Sequence, residues 1–312
     1  MKKLELSNKI KVKRLIDITF PKRKSTGKNN NQKFFTVGKN SLARELSKWE
    51  VLYINKANEN KLYELSYEIS KELHVKGVSF DKNYLEKLYN GNQKRIKKFL
   101  PRIKNYKRTR YICPICEDVM DYSELTSDGG RLNETIEHIL PKSKAPHFIV
   151  TPSNLVITCT KCNTNDHQNI SNLKINSEIN PYFDYFDIRK YLEVKLTLEK
   201  NLLKPEIVFK NCFEGRNFQI KNFIIIYNLL NSYTIQVTNA YYDILGQIKQ
   251  QGIKDLDGLV ILIESVKKSY RESYETDGEW IHNNYFGYVL SEKLLNQVSD
   301  IYSVIVQQAI SL

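Results

Sequence analysis

The amino-acid sequence predicts an α+β fold, mostly helical, in which a central module of short strands lies between a basic helical N-terminal region and a helical C-terminal region. Two observations support this. Apolar residues recur at three- and four-residue spacing on both sides of the module, as amphipathic helices require. Two Cys-x2-Cys pairs, Cys113/Cys116 and Cys159/Cys162, bracket a segment with short β-like runs such as "NLVITC". The corresponding boundaries are 1–110, 111–187 and 188–312.

Along the chain, residues 1–20 alternate apolar and basic side chains and suit an extended segment or short strand. "FPKRKSTGKNNNQKFF" (20–35) is a polar, basic loop. From Ser41 to about Leu73 the apolar positions Leu42, Leu46, Trp49, Leu52 and Tyr53 follow helical spacing. A second helix over 81–99 ends before Pro101, which has no N–H to continue it. "INPYFDYFD" (179–187) is an aromatic turn expected to pack back onto the module. "YLEVKLTLEKNLLKPEIVFK" (191–210) alternates twice around a polar turn and reads as a hairpin. Helices are expected over 217–231, 233–250, 256–274 and 288–310.

Charge is unevenly spread. The 312 residues carry 48 Lys and Arg against 35 Asp and Glu, a net of +13. Residues 1–112 hold 29 against 10, net +19, and the remainder 19 against 25, net −6. A one-sided excess of this size points to a polyanionic partner. The run "KRIKKFLPRIKNYKRTR" (94–110) has nine basic residues and no acid, with Phe99 and Tyr106 inside it. It supplies the candidate nucleic-acid contacts Lys94, Arg95, Lys97, Lys98, Arg102, Lys104, Lys107, Arg108 and Arg110. "MKKLELSNKIKVKR" has no apolar centre, and runs such as "NFIIIYNLL" (222–230) are too short to span a bilayer. A cytoplasmic protein without a membrane partner is therefore expected.

Five cysteines in such a compartment do not suggest a disulfide framework. Cys212 stands alone and suits a buried apolar position. The paired Cys113, Cys116, Cys159 and Cys162 have the spacing of two knuckles sharing one tetrahedral Zn²⁺. Four protein ligands leave no open coordination position, so this ion is expected to be structural. It would pin together the two ends of the intervening segment.

Within that segment, "TIEHILPKS" (135–143) puts Glu137 beside His138. Asn154 follows sixteen residues after the histidine and opens "NLVITC". Asn163 stands immediately after Cys162. This arrangement of E-H-x-x-P, N-L and C-x-x-C-N from Cys113 to His167 closely resembles the HNH endonucleases, in the variant with a four-cysteine zinc site and Asn as the last signature residue. The resemblance covers fewer than 60 of the 312 residues. It implies a ββα-metal module: a two-stranded hairpin on a helix, with a catalytic divalent cation between them. By position His138 is then the general base, Glu137 and Asn163 are metal ligands, and Asn154 fixes the loop that orients the imidazole.

Chemistry independent of the family name fits these roles. Phosphodiester hydrolysis needs a base near neutrality, which imidazole supplies, and a cation beside the developing negative charge. A carboxylate and an amide oxygen favour Mg²⁺ or Mn²⁺, while an added histidine admits Zn²⁺ or Ni²⁺. His167, one helical turn beyond Asn163, is the candidate for that added ligand. The family often has a lysine three residues after its last signature residue, where this chain has Asp166. Lys142, Lys144 and Lys161 are the candidates to replace it at a phosphate. His74 and His282 are expected to be structural, and His147, in "KAPHF", to serve loop packing or to line a substrate groove.

DNA is the expected substrate, with RNA cleavage or a catalytically inactive nucleic-acid-binding zinc module as alternatives. The resemblance also suggests restriction or anti-phage defence, sometimes beside an ATPase. The C-terminal helices are expected to pack on the nuclease core, with a surface for self-association or for a partner protein as the alternative. One geometric difficulty stands out. Neighbouring residues on a strand face opposite ways, so Glu137 and His138 are expected to share a site only through an irregular, bent strand.

Overall fold

A computed structural model describes Leu4, Leu15 and residues 39–62, 64–65, 73–76, 78–80, 82–105, 110–120, 122–123, 131–132, 134–142, 145–163, 179–211, 217–276 and 283–312. The architecture is mostly helical with small sheets. The N-terminal region contributes α1 (Lys39–Asn58), a short hairpin β1 (Leu73–Val75) and β2 (Val78–Phe80), α2 (Lys82–Asn90) and α3 (Gln93–Lys97). Helix α1 buries Leu42, Leu46, Tyr53 and Ala57 along one stripe. It stops well short of Leu73. Asn60 takes a left-handed conformation (φ 57°), and the Lys61 N–H returns to the Lys56 carbonyl at 2.8 Å, which closes the helix end. The helix expected over 81–99 is likewise two helices, interrupted at Gly91–Asn92.

The module begins with the sheet β3 (Ile103–Asn105), β4 (Arg110–Ile112) and β5 (Val119–Met120), followed by the small pair β6 (Tyr122–Ser123) and β7 (Arg131–Leu132). Its centre is the antiparallel pair β8 (Glu134–His138) and β9 (Leu155–Cys159). Every residue of β9 is buried. Such a strand reads as a continuous apolar run rather than an alternating one, as "LVITC" does. Two 3₁₀ turns, Pro146–Phe148 and Pro152–Asn154, fill the connection between the strands.

The aromatic turn packs back as expected. Tyr182 Oη donates to the Leu155 carbonyl at 2.7 Å, and Asn180 Nδ2 donates to Tyr53 Oη and to the Ser153 carbonyl, each at 2.9 Å. The hairpin follows as β10 (Leu192–Glu199) and β11 (Leu202–Phe209). Its two-residue turn, Lys200–Asn201, has both φ angles positive, the conformation that matches strand twist in tight hairpins. Helices α4 (Asn217–Ile226), α5 (Leu229–Gln251), α6 (Leu256–Thr276) and α7 (Asn283–Ser311) complete the chain. Gly252, with φ 65°, ends α5, and the Ile253 N–H bonds back to the Ile248 carbonyl.

One hydrophobic core runs through all three regions. It includes Leu42 and Phe80, then Ile115 and Ile157, and then Phe223, Ile263 and Ala309. A second cluster joins Tyr53 and Leu62 to Leu140, Phe148 and Tyr182 beside the β8–β9 connection. Among the described residues no helix is long and apolar enough to cross a membrane.

Candidate functional site

Cys113 and Cys116 lie on the turn that joins β4 to β5. The Cys113 N–H bonds to the Asp118 carbonyl and the Glu117 N–H to the Cys113 carbonyl, both at 2.9 Å, with Glu117 in a left-handed conformation. Cys159 ends β9, and Cys162 lies on the 3₁₀ turn Thr160–Asn163 that follows. All four cysteines are buried and form no disulfide, with their sulfurs within 4.8 Å of one another. The Cys116 and Cys159 sulfurs are 3.7 Å apart, far beyond a disulfide bond. A tetrahedron with metal–sulfur bonds of about 2.3 Å has edges of about 3.8 Å, so the cluster suits a metal ion such as zinc. Hydrogen bonds from Cys113, Cys116 and Cys162 hold the Cys159 thiol far below its usual range, while the same crowding pushes Cys116 and Cys162 up. Four sulfurs this close could hold a metal ion.

The strand carrying Glu137 and His138 is regular, against expectation. Glu137 pairs with Val156 and His138 with Leu155 in unbroken register. The same register extends to the Ile139 N–H, which bonds to the Asn154 carbonyl, and the departure comes at Leu140, whose N–H turns to Asn154 Oδ1. Register with the fully buried β9 keeps the strand straight as far as His138. The two residues nevertheless meet one cavity of about 460 Å³. Four consecutive residues of β8, Thr135 to His138, line it together with Asn163, Pro141 and Lys142. Among the described residues no strand pairs with the outer edge of β8, where side chains of Lys97 and Asn163 meet its carbonyls, and such an edge can present both faces to a single cavity.

Each expected site residue in this cavity is held by neighbours. His138 is 6% exposed, and its Nε2 is 3.2 Å from the Ile149 carbonyl. A carbonyl only accepts, so Nε2 is the donor of this contact, and in the neutral imidazole the lone pair is then on Nδ1. Asn154 is fully buried, and Oδ1 accepts from the Leu140 N–H (2.7 Å) and Tyr53 Oη (3.1 Å). Its Nδ2 donates to the Leu140 and Phe148 carbonyls, both at 3.2 Å. Asn154 therefore clamps the connection one residue before the carbonyl that meets His138. Asn163 Nδ2 donates to Thr135 Oγ1 at 2.7 Å and to the Ile136 carbonyl at 3.2 Å. Its Oδ1 has no hydrogen-bond partner among the described residues. Glu137 is buried, with the Tyr227 hydroxyl 3.4 Å from Oε1.

The basic run divides into two groups. Lys94, Arg95 and Lys98 are exposed on and just after α3. Lys97 instead donates to the Glu134 carbonyl at 2.6 Å, with burial lowering its pKa against the opposing pull of Glu134. Arg102 grips both Glu134 carboxylate oxygens at 2.8 Å. These two cations tie the N-terminal region to the first residue of β8. Lys161 pairs with Asp118 at 3.4 Å, beside the cysteine cluster. Lys104 and Arg110 belong to β3 and β4. Lys107, Arg108, Lys144, His167, Cys212 and His282, with the helix expected after Asn163, lie outside the described residues. His74 is in β1. His147 is buried against Trp49, consistent with a packing role.

Several residues escape a reading by motif. Helices α2 and α3 supply Glu86, Tyr89 and Gln93 to the cavity wall. The Tyr89 ring meets the His138 imidazole edge-on, centroids 4.7 Å apart at 73°. Burial, and then the charge of Glu137, push the Tyr89 phenol well above its usual range. From the C-terminal region Tyr233 Oη donates to the Cys116 carbonyl at 2.9 Å. None of these has a spacing relative to the histidine that sequence could flag; only the apolar stripes of their helices were visible. No family model, curated protein or solved structure matches the chain.

Proposed function

We propose that the protein is a metal-dependent endonuclease of the HNH type that hydrolyses phosphodiester bonds in DNA, with a structural zinc ion on Cys113, Cys116, Cys159 and Cys162. The observation carrying this reading is that His138, held through Nε2 by the Ile149 carbonyl, lines the same cavity as a carboxylate and an amide. In the neutral imidazole that donates through Nε2, Nδ1 has the lone pair that a general base uses.

In this mechanism Nδ1 takes a proton from the attacking water as its oxygen bonds to phosphorus, and the bond from phosphorus to the leaving sugar oxygen breaks, that oxygen gaining a proton from solvent. The imidazolium that forms keeps its orientation through Ile149, which Asn154 holds by way of Leu140 and Phe148. Glu137 and the Asn163 carbonyl oxygen would hold Mg²⁺ or Mn²⁺, an ion that needs few protein ligands because it keeps several waters. When bound, such an ion offsets the negative charge that develops on the phosphoryl and leaving oxygens. The exposed Lys94, Arg95 and Lys98 give the nucleic-acid backbone a positive approach beside the cavity.

The test is cleavage of labelled DNA and RNA with Mg²⁺, Mn²⁺ or EDTA, comparing the parent with His138→Ala. Metal-dependent cutting should fall by about 10²–10⁴-fold on loss of the base. Equal cutting by the two proteins would remove His138 from the chemistry. Binding without cutting under any metal would favour the inactive module, and cutting confined to RNA would reassign the substrate.

A further inference from the structure

The cavity contains a cation that is used differently from its neighbours. Lys97 and Arg102 are engaged by Glu134, and Lys161 by Asp118. Lys142 lines the cavity, and no carboxylate pairs with it among the described residues. Its ammonium instead lies over the ring of Tyr89, 5.3 Å from the centroid. An aromatic face attracts a cation without cancelling its charge, so Lys142 stays available to an anion while its position is restricted. The same ring meets the His138 imidazole 4.7 Å away. Tyr89 is 2% exposed and anchored in α2 beside the buried Leu85, so it is a fixed reference for both groups. The two ring distances bound the separation of ammonium and imidazole at about 10 Å, close enough for one polynucleotide strand to touch both.

We propose that Tyr89 is a positioning residue for both His138 and Lys142, and that Lys142 binds a backbone phosphate neighbouring the one being cut. The assignment rests on the endonuclease reading for the identity of the reacting phosphate. The phosphate contact itself can be judged by binding alone. It gives the site its anion-binding lysine from the segment after β8, in place of the position that holds Asp166. It also gives the N-terminal region a direct part in the site's geometry.

The experiment combines binding and cleavage. Binding of a fluorescent oligonucleotide is measured against salt in EDTA for the parent, Lys142→Met and Lys142→Arg. Losing one phosphate contact should weaken binding severalfold and lower the slope of log K against log salt by about 1, with arginine restoring the slope. In cleavage, Lys142→Met should show its loss mainly in KM. Tyr89→Leu should lower kcat as well as raise KM, and Tyr89→Phe should recover most of that loss because the ring is retained. A Lys142→Met slope equal to the parent's overturns the phosphate contact, whether or not the protein cuts. If Tyr89→Leu does not fold, the Lys142 series still decides the contact, and the kcat of Tyr89→Phe decides the positioning role: a loss as large as that of His138→Ala overturns positioning by the ring. A parent that binds but never cuts defeats the endonuclease reading, and the salt slope judges Lys142 separately.

Discussion

The module at 111–187 and the helical region after residue 216 are built on opposite plans. The module has strands of two to five residues, two 3₁₀ turns between β8 and β9, and a core completed by four thiols. The C-terminal region has helices of up to 29 residues whose buried faces come from periodic Leu, Ile, Tyr and Phe. Short strands in such a module cannot bury enough apolar surface to offset their own ordering, so a cross-link has to make up the difference. Long amphipathic helices bury much of their apolar surface against one another, with the same core continuing into the module. One region is held by a few irreplaceable points and the other by a distributed seam.

The contrast is broken most forcefully at the cysteines. Structural zinc sites contribute about 10–16 kcal/mol of binding energy to folding. Cys113→Ser or Cys162→Ser should lose zinc, measured by metal analysis, and disorder the module. Helical circular dichroism from residues 217–312 should decline far less. Equal loss in both regions would show that the helices depend on the ion too.

The second prediction concerns the seam. A Cβ on Gly287 of α7 would lie 2.6 Å from the Tyr270 ring of α6. Gly287→Ala should cost about 1–3 kcal/mol through overpacking, read from urea unfolding, with zinc content unchanged. An unchanged midpoint would mean that Tyr270 swings away freely.

The smallest effect tests the bridge between the regions. Tyr233→Phe removes the donor to the Cys116 carbonyl and should cost about 1 kcal/mol, with faster zinc release to a chelator. Unchanged release would make that contact packing alone.

The same contrast explains what the sequence discloses. Helices α4 to α7 and the β10–β11 hairpin follow from local periodicity and turn chemistry, so their positions could be read to within a few residues. The cysteine pairs were equally legible because coordination geometry demands that spacing. The end of α1 was missed because Asn60, in "NENK", is an ordinary polar residue until its backbone turns left-handed. The straightness of β8 was missed because it depends on register with β9, a nonlocal fact. The roles of Tyr89 and Arg102 were hidden for the same reason: their partners lie 49 and 32 residues away along the chain.

The Tyr233–Cys116 contact also has a consequence in time. The two residues are separated by 117 positions, which at ordinary synthesis rates take about 6–23 s to translate. A growing chain thus exposes both cysteine pairs and His138 well before the helix that covers the first knuckle exists. The ribosome delivers the four cysteines first and this support last, so the newborn chain passes through an interval in which the cluster can assemble without its C-terminal clamp.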